Sequence, residues 1–107
     1  LQVERLRLSA LRSDPKTYLE FLRTQDLSAG LYRLPAGAVD AQQPHAEEEI
    51  YYVISGRARF SSGEHRTPVE PGDVFFVPAG EPHKFHDIEQ DLELLVFFAP
   101  AEGSRRK

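Results

Sequence analysis

The chain has 107 residues, with 17 acidic side chains against 13 basic ones, 40% hydrophobic residues and no cysteine. That length supports one compact domain, taken here as residues 1–107, and the hydrophobic share excludes wholesale disorder. The missing thiols exclude a disulfide scaffold, a Cys-ligated zinc site, an iron–sulfur cluster and a thiol nucleophile.

A net charge of −4 argues against nucleic acid as the partner, because phosphate binding wants a basic face. The one cationic cluster, Arg105-Arg106-Lys107, reads as a solvated end, and residues 103–107 are expected to form a flexible tail. No apolar run approaches the ~20 residues of a membrane span and no signal-peptide pattern opens the chain. No membrane partner is therefore expected, and a cytoplasmic location is. The lack of a leading Met reads as a trimmed or processed chain.

In chain order, the first element is ambiguous. Asp14-Pro15 ahead of Tyr18, Leu19, Phe21 and Leu22 suits a helix start, with Asp as N-cap and Pro at the first helical position. The alternation of Leu19 and Phe21 against Tyr18 and Glu20 suits a strand equally well. Ser28–Leu34 reads as a strand ending at the turn Pro35-Ala36-Gly37. Ile50–Ile54, Ala58–Phe60, Val74–Val77 and Leu92–Phe98 are further short runs rich in Val, Ile, Tyr and Phe, which suit a pleated surface. Ser61-Ser62-Gly63-Glu64 and Glu70-Pro71-Gly72-Asp73 are turn sequences. Strands at this spacing, punctuated by Gly and Pro, predict an all-β sandwich or barrel.

Two segments carry candidate chemistry. In Gln43-Pro44-His45-Ala46-Glu47-Glu48-Glu49, Gln43 and His45 would share a strand face. Glu49 has the same parity, but a straight strand would carry it ~13 Å beyond His45. Two ligands of one ion cannot sit that far apart, so joint binding demands a turn within Ala46-Glu47-Glu48. Glu49 then opens the next strand, with Tyr51 and Val53 also facing inward. In Gly72–Asp87 an apolar strand ends at Pro78, a Pro/Gly turn reverses the chain, and His83 starts the strand that follows.

These residues resemble the two motifs of the cupin superfamily. Gln43-x-His45-x3-Glu49-x6-Gly56 matches the first in spacing (residues 37–56), and Gly72, Pro78, Gly80, His83 and Asp87 fall on the second (residues 72–87). Gln43 stands where the family has a histidine, and Asp87 where it has asparagine. The resemblance implies a double-stranded β-helix, a jelly-roll barrel holding one divalent metal ion. The ligands it implies are His45, Glu49 and His83, with Gln43 as a weaker neutral donor or a hydrogen-bonding neighbour. Pro44 could instead bring in Gln42.

Two histidines and a carboxylate leave open positions on Fe, Mn or Ni, and also suit Zn with a water. The implied function is a metal-dependent enzyme acting on a small oxygen-bearing molecule, with dioxygenase-like oxidation ranked first and isomerase or lyase chemistry second. Glu49 and Tyr51 are the expected catalytic groups. The alternative is a non-catalytic module that binds a small ligand or a metal, and a thinner third reading is a vestigial site in a structural dimer.

Glu47 and Glu48 are read as turn residues, and His65 as solvent-exposed. His86 has the wrong parity to share an ion with His83. Phe60, Phe76, Phe85 and Phe97 are expected in the core or the pocket wall. The outward series Ile50, Tyr52 and Ile54 is too apolar for a solvated face, which predicts a homodimer.

Overall fold

The computed structural model describes residues 3–41 and 44–105. It is an antiparallel β structure with one helical turn, α1 (Leu8–Leu11), and six strands: β1 (Tyr18–Arg23), β2 (Ser28–Leu34), β3 (Glu48–Ser62), β4 (His65–Val69), β5 (Val74–Val77) and β6 (Lys84–Ala99). The strand order is β1-β2-β6-β3-β4, with β5 also paired to β3. This is the double-stranded β-helix that the motifs imply. No helix among the described residues is long and apolar enough to cross a membrane.

β2 and β5 occupy the residues that their apolar runs predict. The ambiguous segment after Pro15 is a strand, because β1 pairs with β2 from Tyr18↔Tyr32 to Arg23↔Ser28. The runs Ile50–Ile54 and Ala58–Phe60 belong to one long strand, β3, which pairs with β6 from Glu48↔Ala99 to Ser61↔Lys84. Its other edge holds β5 along Glu49–Tyr52 and β4 along Ala58–Ser62.

The register between β3 and β6 shifts between Val53 and Arg59, as extra residues bend the strands and increase their twist. Odd-numbered Glu49, Tyr51 and Val53 are buried before the shifts, whereas even-numbered Ala58 and Phe60 are buried after them. Gly56 sits between, at φ 107°, where a Cβ would lie 2.4 Å from the Asp91 carbonyl oxygen. Only glycine fits that crossing.

Tyr51, Phe60, Phe75 and Phe85 form an aromatic core. Phe60 lies 4.6 Å from Phe75 and 4.8 Å from Phe85 between ring centroids, and Tyr51 meets Phe85 edge-on at 5.0 Å. Phe76 and Phe97 correct the expectation of a core role. They are 59% and 39% exposed because Ile50 pairs with both across the sheet and all three face outward. Ile54, assigned to the same outward series, is half-buried.

The N-terminal segment is fastened through polar contacts. Arg12 Nε donates to both Glu93 carboxylate oxygens, at 3.0 and 2.9 Å. The Arg33 guanidinium donates to the carbonyls of Arg12, Asp14 and Lys16.

The C-terminal segment, expected to be a tail from Gly103 onward, forms a turn over Glu102–Arg105. Glu47 holds it. That carboxylate is 2% exposed and accepts the backbone N–H of Gly103 and of Arg105, each at 3.0 Å. Ser28 Oγ accepts the Glu102 N–H at 2.9 Å, and Arg23 donates to the Glu102 carbonyl. Glu47 therefore does more than turn the chain. Burial would raise its pKa, but the N–H donors and the neighbouring His45 outweigh that and hold it below the usual carboxylate value. Arg106 and Lys107 lie outside the described residues.

Candidate metal centre

Glu49 and His83 meet inside the barrel. Glu49 is the second residue of β3 and points inward. His83 immediately precedes β6, at the end of the Pro78–Pro82 reversal. Glu49 Oε1 lies 2.7 Å from His83 Nε2, and each side chain is 1% exposed. The His83 ring is oriented from its other side, because Nδ1 donates to the Glu81 carbonyl oxygen at 2.9 Å. The Tyr51 hydroxyl stands 3.0 Å from the same Nε2.

That geometry has a chemical consequence. With Nδ1 carrying a proton, a neutral His83 would turn an Nε2 lone pair toward a carboxylate oxygen, and a contact of 2.7 Å needs a positive charge between them. Burial would lower the His83 pKa, but the Glu49 carboxylate, the Glu81 carbonyl and the charge of Asp40 together raise it above the ordinary imidazole value. Apart from the His83 contact, neither Glu49 oxygen has a hydrogen-bond partner among the described residues. A buried carboxylate without donors is costly, and a divalent cation satisfies it as a proton does. Glu49 and His83 therefore fit a metal.

His45 is placed differently. It lies in the irregular segment before β3, not on a strand face as the sequence suggested. Its ring meets Phe98 edge-on at 4.8 Å between centroids, and its Nδ1 faces Glu102 Oε2 at 3.7 Å. Phe98 is the register partner of Glu49, so the His45 ring and the Glu49 strand flank the same side chain. Among the described residues no group of three or more His, Asp or Glu gathers closely enough to hold a metal ion. Gln43, the fourth expected ligand, and Gln42 lie outside the described residues.

Three contributors gave little signal in the sequence. Asp40, 6% exposed, accepts the Tyr32 hydroxyl at 2.7 Å and the Phe85 N–H at 2.9 Å, tying β2 to the start of β6 beside His83. Tyr18 reaches across Gly30, and its hydroxyl is buried with no hydrogen-bond partner among the described residues. Glu102 arrives on the C-terminal turn. The parity of His45, Glu47 and Glu49 could have flagged Glu47; nothing local marks Asp40, Tyr18 or Glu102.

His65 is exposed on β4, as expected. His86 faces away from the centre, bonded to Ser61 Oγ at 2.5 Å and to Asp87 Oδ2 at 2.9 Å. A groove of about 420 Å³ lined by Lys16, Arg33, Asp91 and Glu93 holds none of the expected site residues. Its Arg33 and Glu93 are already committed to the N-terminal segment, and Asp91 accepts the Ala36 N–H.

Residues 30–98 match the cupin domain family. The chain is a cupin. A protein of Streptomyces coelicolor of uncharacterized function is 53% identical over 86 residues, covering 80% of this cupin and 82% of that protein. The dimethylsulfoniopropionate lyase of Ruegeria pomeroyi is 32% identical over 76 residues, which span 70% of this cupin but only 38% of the lyase. Its crystal structure superposes with a TM-score of 0.67 at 29% identity, over 78% of this cupin and 42% of that chain. An oxalate-binding protein of Thermotoga maritima is 34% identical over 63 residues, or 58% of this cupin and 52% of that protein.

Proposed function

We propose that this cupin is a metal-dependent enzyme that moves a proton on a small carboxylate-bearing molecule. The observation that carries the reading is the buried Glu49 carboxylate, 2.7 Å from His83 Nε2 with the Tyr51 hydroxyl beside the same nitrogen. Glu49 and His83 would hold the ion, and His45 and Gln43 are the further candidate ligands. The bound cation would polarise the substrate carboxylate and so acidify a neighbouring C–H.

The rest falls to the chain's own groups. Tyr51 is the proton carrier inside the site, its hydroxyl 3.0 Å from His83 Nε2 and so beside the place the ion would take. Asp40 fixes the start of β6 and thereby the approach of His83. Phe60, Phe75 and Phe85 wall the site with apolar surface and strengthen charge interactions within it. Lyase-type chemistry ranks here above oxidation by O2, because Tyr51 sets a hydroxyl beside the ring nitrogen that would hold the ion, and a relative of this cupin is a lyase. The oxalate-binding relative favours a second reading, in which the same residues bind a small dicarboxylate without turnover.

The outer face supports a homodimer. Leu27, Ile50, Tyr52, Val74, Phe76 and Phe97 are all exposed, and Ile50, Phe76 and Phe97 line a shallow cleft of about 220 Å³. A second copy offers the same apolar side chains, so pairing two such faces buries apolar area, provided the exposed Glu48 that also lines the cleft stays at the solvated rim.

The test is metal analysis of untagged protein, followed by incubation with dimethylsulfoniopropionate and with oxalate under an oxygen electrode. The proposal expects about one equivalent of divalent metal, loss of that metal in His83→Ala, and product formation without oxygen consumption. Oxygen uptake would restore the dioxygenase reading. Tight binding without product would leave the binding module, and failure to retain any metal would end the enzyme reading.

A further inference from the structure

The chain beyond β6 carries a group toward the site. The Glu102–Arg105 turn is fastened at three points that are themselves buried or paired: Glu47 accepts the N–H groups of Gly103 and Arg105, Ser28 accepts the N–H of Glu102, and Arg23 donates to the Glu102 carbonyl. Glu47 and Ser28 are 2% and 0% exposed, so the turn rests on rigid supports rather than on solvated contacts. The result is a fixed backbone at Glu102 with its side chain directed at His45.

The Glu102 carboxylate faces His45 Nδ1 at 3.7 Å. That separation is inside ion-pair range and longer than a hydrogen bond. The Glu102 side chain keeps 27% exposure, and its carboxylate has no hydrogen bond among the described residues, so rotation about its own χ angles is free to close the gap. On the other side, the Phe98 ring limits how His45 can turn.

We propose that Glu102, delivered by the Glu47-clasped C-terminal turn, is the positioning residue of His45. It holds the Nδ1–H of the ring and leaves Nε2 with its lone pair as the donor atom. The inference rests on the reading of His45 as a metal ligand. Ligating imidazoles commonly donate their second N–H to a carboxylate, which fixes tautomer and orientation, and removing such a partner typically lowers metal affinity by about 10–100-fold. The C-terminal turn is then part of the metal centre.

Two measurements on the full chain test this. The first is the imidazole ¹⁵N spectrum of His45 in metal-free protein at pH 8, where tautomers are read directly. Wild type should show the Nδ1–H form, Glu102→Ala should shift toward Nε2–H, and Glu102→Gln should retain much of the wild-type pattern, because its amide oxygen still accepts. Glu47→Ala, which frees the turn, should resemble Glu102→Ala, and the exposure of Glu102 keeps the test open should the Glu47 variant fail to fold.

The second is calorimetric titration with manganese(II) chloride. Glu102→Ala should bind about 10–100-fold more weakly than wild type, and His83→Ala should not bind. If wild type binds, His83→Ala does not, and Glu102→Ala matches wild type, the inference falls while the metal reading stands. A tautomer shift without a change in affinity would likewise sever His45 from the metal and overturn it. If wild type binds no manganese, the metal reading falls, and the tautomer decides whether Glu102 orients His45 at all.

Discussion

The ring and hydroxyl of Tyr18 lie 2.4 Å from where a Cβ on Gly30 would stand. β1 and β2 pair Tyr18 with Tyr32 and Glu20 with Gly30, so the tyrosine leans along its strand and fills the space that glycine leaves. Its hydroxyl ends buried and, among the described residues, unpartnered. Two effects of Tyr18→Phe then have opposite signs. Removing an unsatisfied hydroxyl should leave the fold as stable as wild type or about 1 kcal/mol more stable. If that hydroxyl meets a ligand oxygen, affinity for oxalate should fall in the same variant. Urea unfolding and calorimetric titration read the two separately, and a destabilised Tyr18→Phe would mean that the hydroxyl is satisfied in solution.

Tyr18 and Tyr32 also set an alkaline limit. Burial is the main cause that raises the Tyr18 hydroxyl well above its ordinary pKa, and the charges of Glu102, Glu20 and Glu49 add to it. Tyr32 is raised by burial and by its bond to Asp40. A group whose pKa is raised by folding keeps its proton longer in the folded state. The stability it contributes is complete below the unfolded value of about 10 and is lost as pH rises beyond it. Stability should therefore decline above about pH 10. In an absorbance titration at least two of the four tyrosines should release their protons only as the protein unfolds, and four phenolates forming in folded protein would contradict both assignments.

What the sequence made legible follows from range. β2 and β5 are bounded by local turn chemistry and a short apolar run, so their limits could be read directly. The inward parity of Glu49 and Tyr51 and the return of His83 after Pro78–Pro82 could also be read, because each is fixed within a few residues. The switch of inward parity around Gly56 could not, since it depends on how β3 meets β6 some 35 residues later, at Asp91 and Leu92. Phe76 went astray for the same reason: its face is decided by its pairing with Ile50. Asp40 acts on Phe85 across 45 positions and Glu47 on Arg105 across 58, and no local pattern records such contacts.

Gly56 offers a direct check on that long-range crossing. A Cβ there would stand 2.4 Å from the Asp91 carbonyl oxygen and 2.7 Å from the Leu92 Cα, at a φ of 107°. Both obstacles are backbone, so no side-chain adjustment relieves them. Gly56→Ala should cost about 3 kcal/mol or more, combining left-handed strain with displacement of β6. Gly63→Ala is the control, with positive φ but open space around it, and should cost about 1 kcal/mol. Equal losses in the two variants, measured by denaturant unfolding, would show that contact with β6 is not what selects glycine at position 56.

The apolar outer face makes the last prediction. Ile50, Phe76 and Phe97 form one cross-strand cluster, with Tyr52 and Val74 on the adjacent rung. Phe76 is 59% exposed, so Phe76→Glu removes little from the core and the fold should survive it. In a symmetric dimer the same substitution places two carboxylates in one desolvated interface, which costs far more than the lost ring contact. Light scattering coupled to size exclusion at micromolar concentration should therefore give a dimer for wild type and a monomer for Phe76→Glu. Lys84→Glu, an equally exposed change at the start of β6 away from this cluster, should remain dimeric. A monomeric wild type would mean that this face meets something other than a second copy, and a dimeric Phe76→Glu would move the interface to another part of the barrel.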